Sequence, residues 1–131
     1  MNVLVDTCVW SQVLRRNPSH LELTTQLVEL VKDSRVAIIG PIRQEILSGI
    51  SNEAQFNRLR GKMAAFEDIP LQSEYFIKAA EFCNLCRKNG IQGSSIDFLI
   101  CSVAYHLSML IFTIDNDFKL YRNYLPIKLF E

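Results

Sequence analysis

Short apolar runs alternate along the chain with segments that have helical periodicity. Four runs are mostly apolar, and the first of them is apolar throughout, which is typical of strands that helices cover on both faces. These runs lie at residues 3–5, 36–39, 110–114 and 127–130. A further segment, 67–71, is short and interrupted by Pro70, and it predicts a third strand or a loop beside one.

Between these runs, the chain shows apolar residues spaced three or four apart, or the start and stop residues of a helix. The predicted helices lie at about 9–15, 23–31, 41–47, 53–65, 76–90, 96–107 and 118–123. Strands separated by helices are joined by right-handed crossovers, which give a parallel sheet with helices on both faces. We therefore predict an α/β fold with three layers, α/β/α, and a central parallel sheet of about five strands.

The composition indicates one ordered globular unit. A chain of 131 residues can bury a core without disulfide or metal staples, so we expect a single domain over residues 1–131. Its 49% hydrophobic and 21% charged residues exclude a disordered chain. We find no run long enough for a membrane span and no secretory signal between Met1 and Asp6, so we expect a cytoplasmic protein with no membrane partner.

The four cysteines are expected to be free thiols in a reducing compartment. Cys83 and Cys86 have the spacing of a redox motif or of half a zinc site. No second pair accompanies them, and they fall inside a helical pattern. We interpret them as core residues on one face of a helix.

The charge balance gives no overall attraction to nucleic acid. Fourteen basic and fourteen acidic residues give a formal net charge of zero, so a polyanion would have to meet a local basic patch. The candidates are Arg15, Arg16, Arg43 and the segment 58–62. Arg43 has the best position, two residues before Glu45, although an internal salt bridge explains it at least as well.

Four acidic residues occupy positions where an α/β fold collects its ligands. Asp6 and Asp115 each follow an apolar strand, and Glu45 and Asp97 lie near the starts of helices. Ligands bind beyond the carboxyl ends of parallel strands, so these carboxylates are expected to meet there. Two charges about 6 Å apart repel by roughly 3 kcal/mol at an effective dielectric constant of about 20, and four need compensation. Mg²⁺, with Mn²⁺ as a substitute, is the ion that suits such an oxygen-only site.

Three of these acids also have a local explanation. Asp6 can cap the helix that follows it, and Ser94 with Asp97 resembles a capping box. Glu45 lies beside the apolar stripe of its helix, but a surface ion pair with an arginine explains it as well.

The fourth acidic position has two candidates. Asp115 is closer to the end of its strand and is preferred, and Asp117 is the alternate. Asn116, between them, can orient either carboxylate.

The acids stand in four segments whose order and spacing resemble the PIN-domain nucleases, and especially the VapC-like toxins of type II toxin-antitoxin pairs. The segments are Val3-Leu4-Val5-Asp6-Thr7, Arg43-Gln44-Glu45-Ile46-Leu47, Ile96-Asp97-Phe98-Leu99-Ile100 and Thr113-Ile114-Asp115-Asn116-Asp117-Phe118. Each segment alone is weak, but together they make the resemblance specific over nearly the whole chain. Phe98, where small residues are common, and the pair Asp115 and Asp117 depart from the family pattern.

The resemblance implies a PIN-like fold and a metal-dependent endoribonuclease that hydrolyses RNA phosphodiester bonds with Mg²⁺ or Mn²⁺. The implied catalytic and metal-binding acids are Asp6, Glu45, Asp97 and Asp115, with Asp117 as the alternate. Thr7, Thr113 and Asn116 are the implied supporting residues, and Arg15, Arg16 and Arg43 the candidate contacts to RNA or antitoxin. The implied partners are an RNA substrate, a cognate antitoxin and a second copy, forming a homodimer and a toxin-antitoxin hetero-oligomer.

Two other functions compete with this one. A phosphohydrolase with Asp6 as nucleophile usually has a second aspartate two residues later, where this chain has Cys8. A catalytically silent antitoxin- or RNA-binding module, in which the acids only cap helices, suits the neutral net charge.

Overall fold

Three parallel strands form the sheet in the computed structural model, which describes residues 1–14 and 21–131. They are β1 (Val3–Val5), β2 (Val36–Ala37) and β3 (Leu110–Phe112), in the order β2-β1-β3. Both neighbours run parallel to β1, and Val3 pairs with Val36 on one side and with Leu110 on the other. Because the chain crosses from one side of β1 to the other, the strand order reverses at β1.

Two further segments extend the sheet by one bridge each. Asp68 bridges Ile38, and Leu129 bridges Ile111, both in parallel orientation. These bridges lie where the sequence predicted a third strand or loop and a last strand. The predicted sheet of about five strands is thus found as three strands with two single bridges, since these edge segments adjoin prolines, which have no amide hydrogen to donate.

Helices fill the segments between the strands, and the predicted α/β class is confirmed. The helices of the described residues are α1 (Thr7–Val13), α2 (Leu21–Lys32), α3 (Gly40–Leu47), α4 (Glu53–Met63), α5 (Ser73–Lys88), α6 (Ser95–Leu107) and α7 (Asp117–Tyr121). Successive residues of β1 point to opposite faces of the sheet, yet Val3, Leu4 and Val5 are all fully buried. Both faces are therefore covered, as in the predicted three layers.

Helix α6 lies in the middle of the core. Its residues from Phe98 to Ala104 are all buried, which explains why this stretch is almost entirely apolar. The buried Ser102 hydroxyl donates to the Tyr75 carbonyl oxygen of α5 at 2.6 Å. This packing fixes the position of the α6 N-terminus, where Asp97 lies.

Two findings concern the cysteines and the helix lengths. All four cysteines are free thiols, and Cys83 and Cys86 lie in α5, as the sequence predicted. In the described part of the chain, we find no helix with the length and apolar character needed to cross a membrane.

Arg43 anchors the segment that follows α4. Its guanidinium group donates to the carbonyl oxygens of Met63, at 2.8 Å, and Phe66, and it forms an ion pair with Asp68 at 3.0 Å. Of the two interpretations of Arg43, the structure shows the internal salt bridge. The other candidate contacts, Arg15 and Arg16, lie outside the described residues.

Replacing Arg43 with alanine is expected to lower the free energy of unfolding by about 2 kcal/mol, because two backbone carbonyl groups lose a charged donor. Denaturant unfolding followed by circular dichroism measures this change. The control is Arg60→Ala, which removes an exposed arginine of α4 and should change stability by less than about 0.5 kcal/mol. Equal losses in the two variants would contradict the anchoring role.

Candidate metal centre

The pairing of β1 with β3 places Asp6 next to Thr113. The register aligns Val5 with Phe112, and the Asp6 amide donates to the Phe112 carbonyl oxygen at 2.9 Å. One residue beyond β3, the Thr113 hydroxyl donates to Oδ2 of Asp6 at 2.8 Å. The two parallel strands therefore bring both residues to the carboxyl edge of the sheet, where the strand order reverses.

Asp6 is buried and its carboxylate is held on both oxygens. Oδ1 accepts from the Thr7 amide at 2.8 Å, which caps α1 as the sequence allowed, and the Cys8 thiol donates to Oδ2 at 3.4 Å. Burial raises the pKa of Asp6, while its hydrogen bonds lower it and the charge of Asp97 adds to the rise. Asp6 thus caps α1 and also lies close enough to the Asp97 carboxylate to feel its charge.

Asp97 lies in the first turn of α6. Its amide donates to the Ser94 hydroxyl at 3.1 Å, so Ser94 caps the helix as predicted. Its Oδ2 accepts a hydrogen bond from the Tyr121 hydroxyl at 2.7 Å. Burial raises the pKa of Asp97, the bonds from Tyr121 and Ser94 lower it, and the charge of Asp115 raises it further.

Asp97, Asp115 and Asp117 form an acidic group, in which one carboxylate oxygen of each lies within 4.8 Å of the others. The Asp115 amide donates to the Thr113 hydroxyl at 3.0 Å, and Oδ1 of Asp115 accepts from the Asp117 amide at 2.9 Å. Thr113 therefore connects Asp6 to this group. Both candidates for the fourth acidic position belong to it.

Glu45 is an exposed residue in the second half of α3. Among the described residues, the acidic group does not include it, and its side chain has no hydrogen bond or ion pair. It lies five residues after Gly40, where α3 begins, which moves it about 7.5 Å along the helix axis. The structure does not bring Glu45 into the group of three, and its role as a ligand stays a prediction.

The residues present fit a hard divalent cation. The acidic group offers only oxygen atoms, which suits Mg²⁺ or Mn²⁺. Among the described residues, the buried Thr7 hydroxyl next to Asp6 has no hydrogen-bond partner, which is unusual for a buried polar group. The side chain of Asn116 does not cap α7 and is exposed, and its supporting role stays a prediction.

Tyr121 is the residue of this site that sequence reasoning missed. Its hydroxyl reaches Asp97 across 24 residues of sequence. The available signal was the spacing of Phe118 and Tyr121, three apart in a short helix that begins at Asp117. Burial, together with the hydrogen bond to Asp97, raises the pKa of Tyr121, so the phenol stays protonated and acts as a donor.

A profile of the PIN domain matches residues 3–123. The chain belongs to the PIN-domain family. No curated protein matched the sequence of this PIN domain.

Solved structures share the fold of this PIN domain. FitAcB from Neisseria gonorrhoeae has a TM-score of 0.80 and 19% identity, covering 98% of this chain and 96% of its own. VapBC2 from Rickettsia felis, bound to a DNA fragment from the promoter, has a TM-score of 0.80 and 19% identity, covering 100% and 98%. DNA-bound VapBC from Salmonella typhimurium has a TM-score of 0.73 and 15% identity, covering 99% and 97%.

Without a bound cation, the charge of Asp97 opposes folding of the PIN domain at neutral pH. The folded state holds the Asp97 proton more tightly than the unfolded state, so stability falls as pH rises from the ordinary carboxyl pKa of 3.8 through the raised value. An asparagine carries no such charge, and its amide oxygen can still accept from Tyr121. In a chelator, Asp97→Asn is therefore expected to raise Tm by a few degrees near pH ~7 and not near pH ~3.

Thermal unfolding at both pH values measures this difference. Asp33→Asn, which removes an exposed charge after α2, is the matched control and should show no such pH-dependent gain. A Tm of Asp97→Asn at or below that of the wild type at neutral pH would contradict the electrostatic cost.

Proposed function

We propose that this PIN domain is a metal-dependent endoribonuclease and the toxin of a type II toxin-antitoxin pair. The observation that carries the proposal is the acidic group formed by Asp97, Asp115 and Asp117. Thr113 connects this group to the buried Asp6, at the edge of the sheet where the strand order reverses. PIN domains are generally nucleases, which supports cleavage of a phosphodiester bond. The proposal places the protein in the cytoplasm, with no membrane partner.

Asp97 with Asp115 and Asp117 would hold Mg²⁺ or Mn²⁺, and Asp6 would contribute from the adjoining strand. A divalent cation bound there would act as a Lewis acid on the phosphate oxygens and would lower the pKa of a water molecule bound to it. Thr113 orients both sides of the site, because its hydroxyl donates to Asp6 and accepts from the Asp115 amide.

A cavity of about 440 Å³ next to the acids supports a nucleic-acid substrate. Its lining includes Thr113, Asp115, Asn116 and Lys119. Lys119 is exposed and brings a positive charge to a place where a phosphate would meet the carboxylates. Asp115 and Glu131 also line the cavity, so Lys119 offsets only part of the negative charge there and a phosphate would also need the divalent cation.

A toxin-antitoxin complex from Klebsiella pneumoniae is among the solved structures that share this fold, which supports a cognate antitoxin as the protein partner. A mostly apolar groove of about 400 Å³ between α5 and α6 supports the same partner. Phe76 in this groove is 50% exposed, and Phe98 connects the groove to Asp97. The proposal includes a homodimer within a toxin-antitoxin hetero-oligomer, and Arg15 and Arg16 as candidate contacts.

The position two residues after Asp6 disfavours the phosphohydrolase. That position holds the Cys8 thiol, where enzymes with an aspartate nucleophile usually have a second aspartate. Failure to trap an acyl-phosphate on Asp6 would agree with this conclusion.

Cleavage of RNA tests the main proposal. In Mg²⁺ or Mn²⁺, the wild type is expected to cleave RNA, and Asp6→Asn and Asp97→Asn to lose at least about 100-fold in kcat/KM, because each removes a negative oxygen from the site. Glu81→Gln, which changes an exposed acid of α5 paired with Lys78, is the control and should keep full activity. Undiminished cleavage in both aspartate variants would reject the site.

Calorimetric titration with Mn²⁺ separates the remaining acidic positions. Asp115→Asn and Asp117→Asn are each expected to weaken Mn²⁺ binding by about 10-fold or more, because both carboxylates belong to the acidic group. If Glu45 completes the site when the ion is bound, Glu45→Gln weakens binding as well, and unchanged affinity would remove Glu45 from it. A folded wild type that neither binds Mn²⁺ nor cleaves RNA would favour the silent binding module instead.

A further inference from the structure

We propose that Tyr121 is a positioning residue for the metal centre, which it serves by fixing the orientation of the Asp97 carboxylate. This inference rests on the proposed function, because it assigns Tyr121 a role toward the cation that the acids would hold. The hydroxyl of Tyr121 donates to Oδ2 of Asp97 at 2.7 Å. One oxygen of Asp97 is thereby occupied inside the protein, which leaves Oδ1 for the cation.

The phenol ring of Tyr121 is held tightly in place. The residue is fully buried, although it ends the short, mostly exposed helix α7. Its ring centroid lies 5.1 Å from that of Phe98, and 5.2 Å from that of Phe118. Both are fixed aromatic neighbours, so the hydroxyl has little freedom to leave Asp97. Phe98, which departs from the family pattern, is part of this support.

Gly93 provides the space that the Tyr121 hydroxyl occupies. A Cβ atom at position 93 would overlap that hydroxyl and would lie 2.8 Å from Cζ of Tyr121. The next residue, Ser94, caps α6 through the Asp97 amide. Two consecutive residues thus position Asp97. Gly93 leaves space for the Tyr121 hydroxyl that binds the Asp97 side chain, and the Ser94 hydroxyl accepts from the Asp97 amide.

Tyr121 also connects two of the acidic residues. Asp117 is the first residue of α7 and Tyr121 the last, so the bond to Asp97 joins α7 to the N-terminus of α6. Asp97 and Asp117 belong to the same acidic group, and the hydroxyl fixes the spacing between them. Hydrogen bonds of this kind orient metal ligands, and their loss typically costs about 10- to 100-fold in metal affinity or activity.

Mn²⁺ titration of Tyr121→Phe, measured by calorimetry, tests this role. The variant removes one oxygen and keeps both ring contacts, so we expect a Kd for Mn²⁺ raised about 10-fold and a Tm lowered by a few degrees, because the Asp97 carboxylate loses a donor. With RNA, kcat should fall while KM stays near the wild-type value, because the substrate surface is intact. The matched control, Tyr75→Phe, deletes the hydroxyl of another buried tyrosine, which packs on His106, and should leave Mn²⁺ affinity unchanged.

Gly93→Ala provides a second variant, in which the phenol is present but displaced, and it should weaken Mn²⁺ binding in the same direction. An Mn²⁺ affinity of Tyr121→Phe within about two-fold of the wild type, while Asp97→Asn loses binding, would overturn the positioning role and leave the proposed function intact. A wild type that binds Mn²⁺ but cleaves no RNA would instead reject the nuclease, and the titration would still decide the role of Tyr121.

Discussion

The pairing of β1 with β3 is the constraint on which the rest of this structure depends. It aligns Val5 with Phe112, and the next residue of each strand, Asp6 and Thr113, then meets in a hydrogen bond. The Thr113 hydroxyl also accepts from the Asp115 amide, which connects the sheet to the acidic group. A shift of one residue in this register would turn Asp6 to the other face of the sheet and separate it from Thr113.

The site concentrates negative charge where little water is available to stabilise it. Burial raises the pKa of both Asp6 and Asp97, and a neighbouring charge adds to each rise, that of Asp97 at Asp6 and that of Asp115 at Asp97. Hydrogen bonds from Thr7, Thr113 and Tyr121 offset part of this cost without neutralising the charge. Such an arrangement is typical of a site that gives up some stability in order to bind a cation.

The fold was largely predictable from the sequence because its core elements have strong local signals. Apolar runs identify the strands, and the stripe from Ile96 to Leu107 identifies α6. The edge segments were harder, because a single bridge at Asp68 or Leu129 depends on a neighbour distant in sequence.

The acidic residues of the site could be predicted where they follow a strand, because the end of a strand fixes where they lie. Asp6 and Asp115 follow parallel strands, and parallel strands end at one edge of the sheet. Glu45 was inferred from its place beside an apolar stripe, but periodicity indicates a helix face and gives no distance to the site. Tyr121 could not be inferred, because its contact with Asp97 arises from the packing of α7 against α6.

The central strand of this fold is synthesised before both of its neighbours in the sheet. β1 ends at residue 5, whereas its neighbour β3 begins at residue 110 and Tyr121 comes later still. A nascent or truncated chain that stops before β3 leaves one edge of β1 unpaired and Asp6 without Thr113. Assembly of the acidic centre must therefore await synthesis of almost the entire PIN domain, and long-range pairing of this kind forms slowly compared with helices. Shortened translation products retain Asp6 but cannot build the centre around it.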